Sequence, residues 1–143
     1  MTVTIIGIGL IGGSLGITLK ENGFATRVIG VDASRENLHK AIRRRLIYEE
    51  MSLEQGVAAS DVIILATPVD AMCKLLPELL DRVGDHQTII DVGSTKELLL
   101  NEVEAHASRP RFVSCHPMAG TEFSGPEAAV PDLFAGKMCV IVD

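Results

Sequence analysis

The stretch Gly7-Ile8-Gly9-Leu10-Ile11-Gly12 constrains this chain more than any other, because of what stands around it. It follows the β-branched run "TVTIIGIG" and opens the helical run "GGSLGITLKEN". In a G-x-G-x-x-G turn the first glycine lets the chain turn tightly and the second keeps side chains away from an approaching anion. The third lets the helix pack closely on the strand. The free N–H groups at the helix start, aided by the helix dipole, suit a pyrophosphate. Asp32 ends the next strand-like run, "RVIGVD", 20 residues after Gly12. An acid at that distance accepts hydrogen bonds from the ribose hydroxyls of a dinucleotide. Gly7, Gly9, Leu10, Ile11, Gly12 and Asp32 are therefore the candidate cofactor-binding residues. The competing account is a glycine-rich turn with Asp32 as a surface cap. The charge of Asp32 would face a 2′-phosphate, so NAD is expected over NADP. Arg35, as the second residue of a helix, is expected to be solvated rather than to offset that charge.

Downstream the same rhythm continues. "SRENLHKAIRRRL" reads as a helix with Ser34 as N-cap, and Asn22-Gly23 stops the helix before it. "DVIILATP" has the unbroken apolar core of a strand buried on both faces. "DAMCKLLPELLDRV" reads as a helix that Pro77 should kink or break in two. "QTIIDVG" is the next strand, "STKELLLNEVEAHA" the next helix, and "RFVSCHP" and "MCVIVD" are the last two strands. Strands alternating with helices of this length indicate βαβ units. The expected fold is α/β: a doubly wound, mainly parallel sheet with helices on both faces, of Rossmann type, forming one dinucleotide-binding domain over residues 1–143.

Composition excludes several function classes. The chain is 47% apolar and 22% charged, with a net charge of −6, as in an ordinary soluble domain. Its densest basic cluster is Arg43-Arg44-Arg45, expected at a solvated helix end, so no nucleic-acid partner is expected. Residues 2–19 carry no charge, but five glycines interrupt them and no Lys or Arg precedes them, so no membrane segment is expected. Cys73, Cys115 and Cys139 are widely spaced, which suggests reduced thiols in a cytoplasmic protein and no metal site.

In doubly wound sheets ligands sit beyond the carboxyl ends of the strands. Three such ends carry polar or kinked sequence here. At the first, Thr67-Pro68 forces extended backbone and either places it against the cofactor or simply makes a turn. At the second, Ser94 and Glu97 fit a capping box. Ser94, Thr95 and Lys96 at that helix start could also contact substrate. At the third stands His116. His39 and His106 are expected in helices and His86 in a turn, all at the surface, whereas His116 ends an apolar strand on the nicotinamide side. Removing a hydride from an alcohol carbon needs a group to take the hydroxyl proton, and a histidine suits that. The alternative is a satisfied, buried histidine with no chemistry.

The motifs "GIGLIGGSLG", "SDVIILATPV", "DVGSTK" and "CHPMAGTEFSG...LFAGK", in that order, resemble the prephenate/arogenate dehydrogenases of tyrosine biosynthesis. The first is shared by many dehydrogenases, and the last two are specific. The resemblance implies that His116 hydrogen-bonds the ring hydroxyl of the substrate and assists hydride transfer. It implies that Ser94 supports the histidine and contacts the nicotinamide end, and that Thr121 and Glu122 line the substrate pocket. It further implies NAD-dependent oxidative decarboxylation of prephenate to 4-hydroxyphenylpyruvate, or the corresponding reaction of arogenate. Family members carry a second, mostly helical domain that closes the site, forms a homodimer and binds substrate. It is expected to be absent from this chain, which would leave the isolated domain inactive. Two other readings are a different Rossmann-type hydroxyacid or imine dehydrogenase, which leaves the H-P-M-A-G-T-E run unexplained, and a non-catalytic NAD-sensing module, which has no use for His116.

Overall fold

The computed structural model describes residues 1–142. In chain order the elements are β1 (Thr2–Ile6), α1 (Leu10–Glu21), β2 (Arg27–Val31), α2 (Arg35–Arg43), β3 (Glu49–Glu50), α3 (Leu53–Ala59), β4 (Val62–Leu65) and α4 (Val69–Arg82). Then come β5 (Thr88–Asp91), α5 (Glu97–Val103), β6 (Phe112–Pro117) and β7 (Cys139–Val142). Asp143, the last residue of the final predicted strand, lies outside the described residues.

The strands form one sheet in the order β3-β2-β1-β4-β5-β6-β7. All neighbours are parallel except β6 and β7. The order reverses direction between β1 and β4, and there the strand ends splay into a crevice. The doubly wound α/β fold read from the sequence is the fold observed.

Period-two alternation places a core on each face. Val3 and Ile5 of β1, with Ile64 of β4, pack under α1 and α2. Ile6, Ile63 and Leu65 point the other way, into a layer with Met72, Leu76 and Leu79 of α4 and Leu99 of α5.

Two sequence expectations are corrected here, and a third, the kink or break at Pro77, loses its second branch. Pro77 does not divide its helix, and Val69–Arg82 is one element. Proline forfeits one backbone hydrogen bond, but Met72, Leu76, Leu79 and Leu80 are all buried and hold both halves of the helix against the sheet. The capping box at Ser94 does not form. α5 starts at Glu97, its N-cap is Lys96, and no side chain caps it. His106 lies beyond α5, where its ring accepts from the Ser108 N–H at 3.0 Å and stands 3.1 Å from Asp81 Oδ1. The other caps stand: Ser34 Oγ accepts from the Asn37 N–H, and Gly23, with φ of 70°, follows the end of α1.

The sequence reading assigned nothing to residues 47–60, where β3 and α3 lie. β3 is only two residues long. α3 does carry a local signal, since Ser52 and Gln55 form a reciprocal capping box. The uncharged run 2–19 divides into a strand, a turn and the helix α1. Among the described residues no helix is long and apolar enough to cross a membrane.

Candidate functional site

The glycine turn is shaped by close approach. Gly7 has φ of 97°, and a Cβ on it would lie 2.7 Å from the Ala66 carbonyl oxygen. A Cβ on Gly12 would lie 2.0 Å from the Gly7 carbonyl oxygen, so only glycine lets α1 start this close to β1. Gly9 differs: nothing lies within 4 Å of its Cβ position. It faces a cleft of about 520 Å³ whose walls include Gly7, Gly9, Asp32, Asn37, Thr67 and Pro68.

Asp32 is pinned from two sides. Its Oδ2 accepts from the Ile8 N–H and its Oδ1 from the Ser34 N–H, each at 2.8 Å. The carboxylate thus links the glycine turn to the start of α2. Each oxygen keeps a second lone pair free to accept from a ligand hydroxyl.

A second cavity, of about 270 Å³, adjoins the first and shares Ala66, Thr67 and Pro68 with it. Its lining also includes Ile11, Gly93, Ser94, His116 and Ala119. The turn from β4 to α4 is therefore the partition between two compartments of one crevice. Thr67 Oγ1 is buried there and has no hydrogen-bond partner among the described residues. A buried hydroxyl without a partner is costly.

These features fit a dinucleotide. The open Gly9 position leaves room for a pyrophosphate at the uncapped start of α1, whose first turn holds no acidic residue. Asp32 offers acceptors at one end of the crevice, and the Thr67 hydroxyl stands where its two compartments meet.

The structure brings Ser94 and His116 to the same compartment, as the sequence suggested. Among the described residues neither side chain hydrogen-bonds to the protein, so the predicted support of the histidine by Ser94 is not a direct bond in this state. Thr121 and Glu122 are exposed and lie outside that compartment. Thr121 Oγ1 accepts from the Phe123 N–H at 3.2 Å, and Glu122 lines a separate surface hollow with Phe123 and Ser124.

Two arrangements escaped the sequence reading. Beneath the Ser94 turn, Lys96 points inward, not toward substrate. Its ammonium donates to the fully buried Asp91 carboxylate and to the Cys115 carbonyl. The signal was available: a charged pair inside the otherwise small and uncharged "DVGSTK". The second arrangement is a clamp. Arg44, exposed at the end of α2 as expected, also donates to the Ala129 carbonyl at 3.0 Å and to that of Pro126. Lys40 pairs with Glu127, and Ser14 Oγ accepts from the Val130 N–H at 3.0 Å. The long β6–β7 connection is thereby tied to α1 and α2.

The three cysteines are free. Burial, and then the neighbouring Cys139, push the Cys115 thiol up to about 11, which leaves it protonated and a poor nucleophile at neutral pH.

Comparison with known proteins agrees with this geometry. A family model described as "Prephenate dehydrogenase, nucleotide-binding domain" matches residues 15–143. A prephenate dehydrogenase of Bacillus subtilis is 36% identical over 98% of this chain, and one of Lactococcus lactis 32% over 99%. Those matches take in only 38% and 40% of the relatives' own length. Among solved structures, a prephenate dehydrogenase from A. aeolicus in complex with hydroxyphenyl propionate and NAD+ superposes with a TM-score of 0.90 at 31% identity. That superposition covers 100% of this chain and 50% of the other. A Synechocystis arogenate dehydrogenase gives 0.82 at 27% identity, covering 99% and 49%. The chain thus spans half or less of the length of these relatives.

Proposed function

The chain belongs to the prephenate dehydrogenase nucleotide-binding domain family, and on that premise we propose that it forms the NAD-binding part of an enzyme that oxidatively decarboxylates prephenate. The observation that carries this reading is the shared partition at Thr67-Pro68. It joins the cleft lined by Gly9 and Asp32 to the compartment lined by His116 and Ser94.

In this reading the N–H groups at the start of α1 hold the pyrophosphate, and Asp32 accepts from the adenosine ribose hydroxyls. NAD, when bound, supplies the hydride acceptor. His116 receives the proton of the ring hydroxyl as the carbinol carbon gives up its hydride. The ring carbon becomes a ketone, the ring carboxylate departs as CO₂, and its bonding pair shifts through the ring onto the ketone oxygen, which takes up a proton to give the aromatic phenol of 4-hydroxyphenylpyruvate. Ser94 orients the groups that meet at His116, and Thr121 and Glu122 reach substrate only if their loop moves inward from its exposed position. The activity is that of a protein of the relatives' length.

The test is an assay of the full-length protein for NADH formation with prephenate, run in parallel with arogenate and with NADP. Prephenate-dependent NADH release together with 4-hydroxyphenylpyruvate is the expected result. Turnover of arogenate alone would move the substrate to the amino acid. No turnover of either, with NAD still bound, would favour a sensing module.

A further inference from the structure

Ser94 and His116 stand at the ends of two neighbouring strands, and no side-chain bond joins them. What fixes their separation lies one layer below. Asp91, the last residue of β5, is fully buried. Its Oδ2 accepts from the Gly93 N–H at 2.8 Å and from the Lys96 ammonium, and its Oδ1 accepts from Ser114 Oγ at 2.7 Å. The same ammonium donates to the carbonyl of Cys115, the peptide unit that leads into His116. The Lys96 side chain is only 10% exposed. One buried cation therefore starts two residues after Ser94 and ends on the backbone that carries His116.

Its place relative to the sheet matters. The parallel register of β5 and β6 runs from Ile89↔Phe112 to Asp91↔Ser114 and stops. Beyond it, Val92–Ser94 turn toward α5, while Cys115–Pro117 keep only their pairing with β7 on the other edge of β6. Lys96 crosses the gap where the backbone ladder has ended. A buried ion pair is no better for stability than well-packed apolar residues, because desolvation offsets the attraction. Stability alone therefore gives no reason for this pair, whereas the span between the two site residues does.

We propose that Lys96, anchored on Asp91, is a positioning residue that holds the Ser94 turn and His116 in reacting register. The proposal rests on the dehydrogenase reading above, and its test separates the two.

Three forms of the full-length protein are compared: unmutated, Lys96→Met, and the double variant Asp91→Asn/Lys96→Met. Lys96→Met leaves a bare carboxylate buried and should lower Tm sharply. The double variant removes both charges and should recover most of that loss. All forms should bind NAD within about twofold of one another, since the glycine turn and Asp32 are untouched. The double variant should still lose roughly tenfold to a hundredfold in kcat, the cost of misplaced reacting groups. A double variant with recovered Tm and kcat within about twofold of the unmutated protein would overturn the proposal. Crystal structures of the unmutated and double-variant proteins decide it without turnover. A displaced or disordered Ser94 turn supports it, and unmoved Ser94 and His116 refute it. Absence of turnover in the unmutated protein refutes only the dehydrogenase reading, and the positions of Ser94 and His116 in the two crystal structures then decide the role of Lys96.

Discussion

At the β1–β2 end of the crevice the candidate binding groups are backbone, or are pinned by backbone. Asp32 is held by the Ile8 and Ser34 N–H groups, and Gly7 and Gly12 make contacts that no Cβ could survive. At the β5–β6 end the candidate groups are side chains. Ser94, Thr121 and Glu122 are exposed, and the half-buried His116 imidazole has no protein partner among the described residues. Phe123, Met118 and Ile141 stand uncovered nearby, between half and seven-tenths exposed. The first end is preorganised for a ligand of fixed shape. The second supplies reacting groups on a fixed base, the Asp91–Lys96 pair, and leaves their final surroundings to whatever else enters the site. Cofactor binding and catalysis should therefore separate cleanly by mutation.

The largest separation is expected at His116. In the full-length protein, His116→Asn removes the proton acceptor while leaving the cleft at Asp32 intact. A positioned base is worth about 10²–10⁴ in rate, or roughly 3–5 kcal/mol of barrier. We expect kcat to fall by that factor, with NAD affinity and Tm nearly unchanged. A fall of less than about tenfold would reduce His116 to a half-buried histidine without chemistry and dissolve the contrast between the two ends.

Asp32→Ala probes the other end and should do the reverse, weakening NAD while sparing kcat at saturating cofactor. The Ile8 and Ser34 N–H groups lose a charged acceptor, a bond class worth about 1.5–3 kcal/mol. NAD affinity is expected to drop roughly tenfold to a hundredfold, and the preference for NAD over NADP to narrow. Titration of both nucleotides, with Tm recorded in parallel, separates lost ligand contact from lost loop order. An unmutated protein that binds NADP more tightly would remove Asp32 from its assigned role.

The two ends also differ in how far the sequence betrayed them. The first was legible almost residue by residue. Backbone–ligand binding demands glycine at fixed spacing, and spacing along one strand–turn–helix unit is a local property. Gly7, Gly12 and Asp32 stand where the motif placed them. The strand ends carrying Ser94 and His116 were also legible, because the fold collects its carboxyl ends on one side. Their mutual support was not. The link through Asp91, Lys96 and Cys115 runs between two strands, and the side-chain direction of Lys96 depends on the depth of its slot, which no spacing records. Pro77 failed as a break for a related reason: burial of four residues on the sheet outweighed one missing bond. The capping box at Ser94 failed because Lys96, drawn inward to Asp91, took the cap position and started the helix later.

That last correction yields the smallest and sharpest test. As a cap, Ser94 would contribute about 1 kcal/mol of stability. In the structure it is exposed, three residues before α5, and accepts nothing from the helix. Ser94→Ala should therefore change stability by no more than about 0.5 kcal/mol, the range of an ordinary surface substitution. Its effect should appear in kinetics instead. Ser94 lines the compartment with His116, and one neutral hydrogen bond there is worth about 0.5–1.5 kcal/mol, or roughly twofold to tenfold in kcat/KM. Denaturant unfolding and steady-state rates on the same full-length sample read both quantities. A stability loss near 1 kcal/mol would mean that the capping box forms after all. Unaltered kinetics with unaltered stability would take Ser94 out of the site and leave His116 as the single reacting side chain at the β5–β6 end.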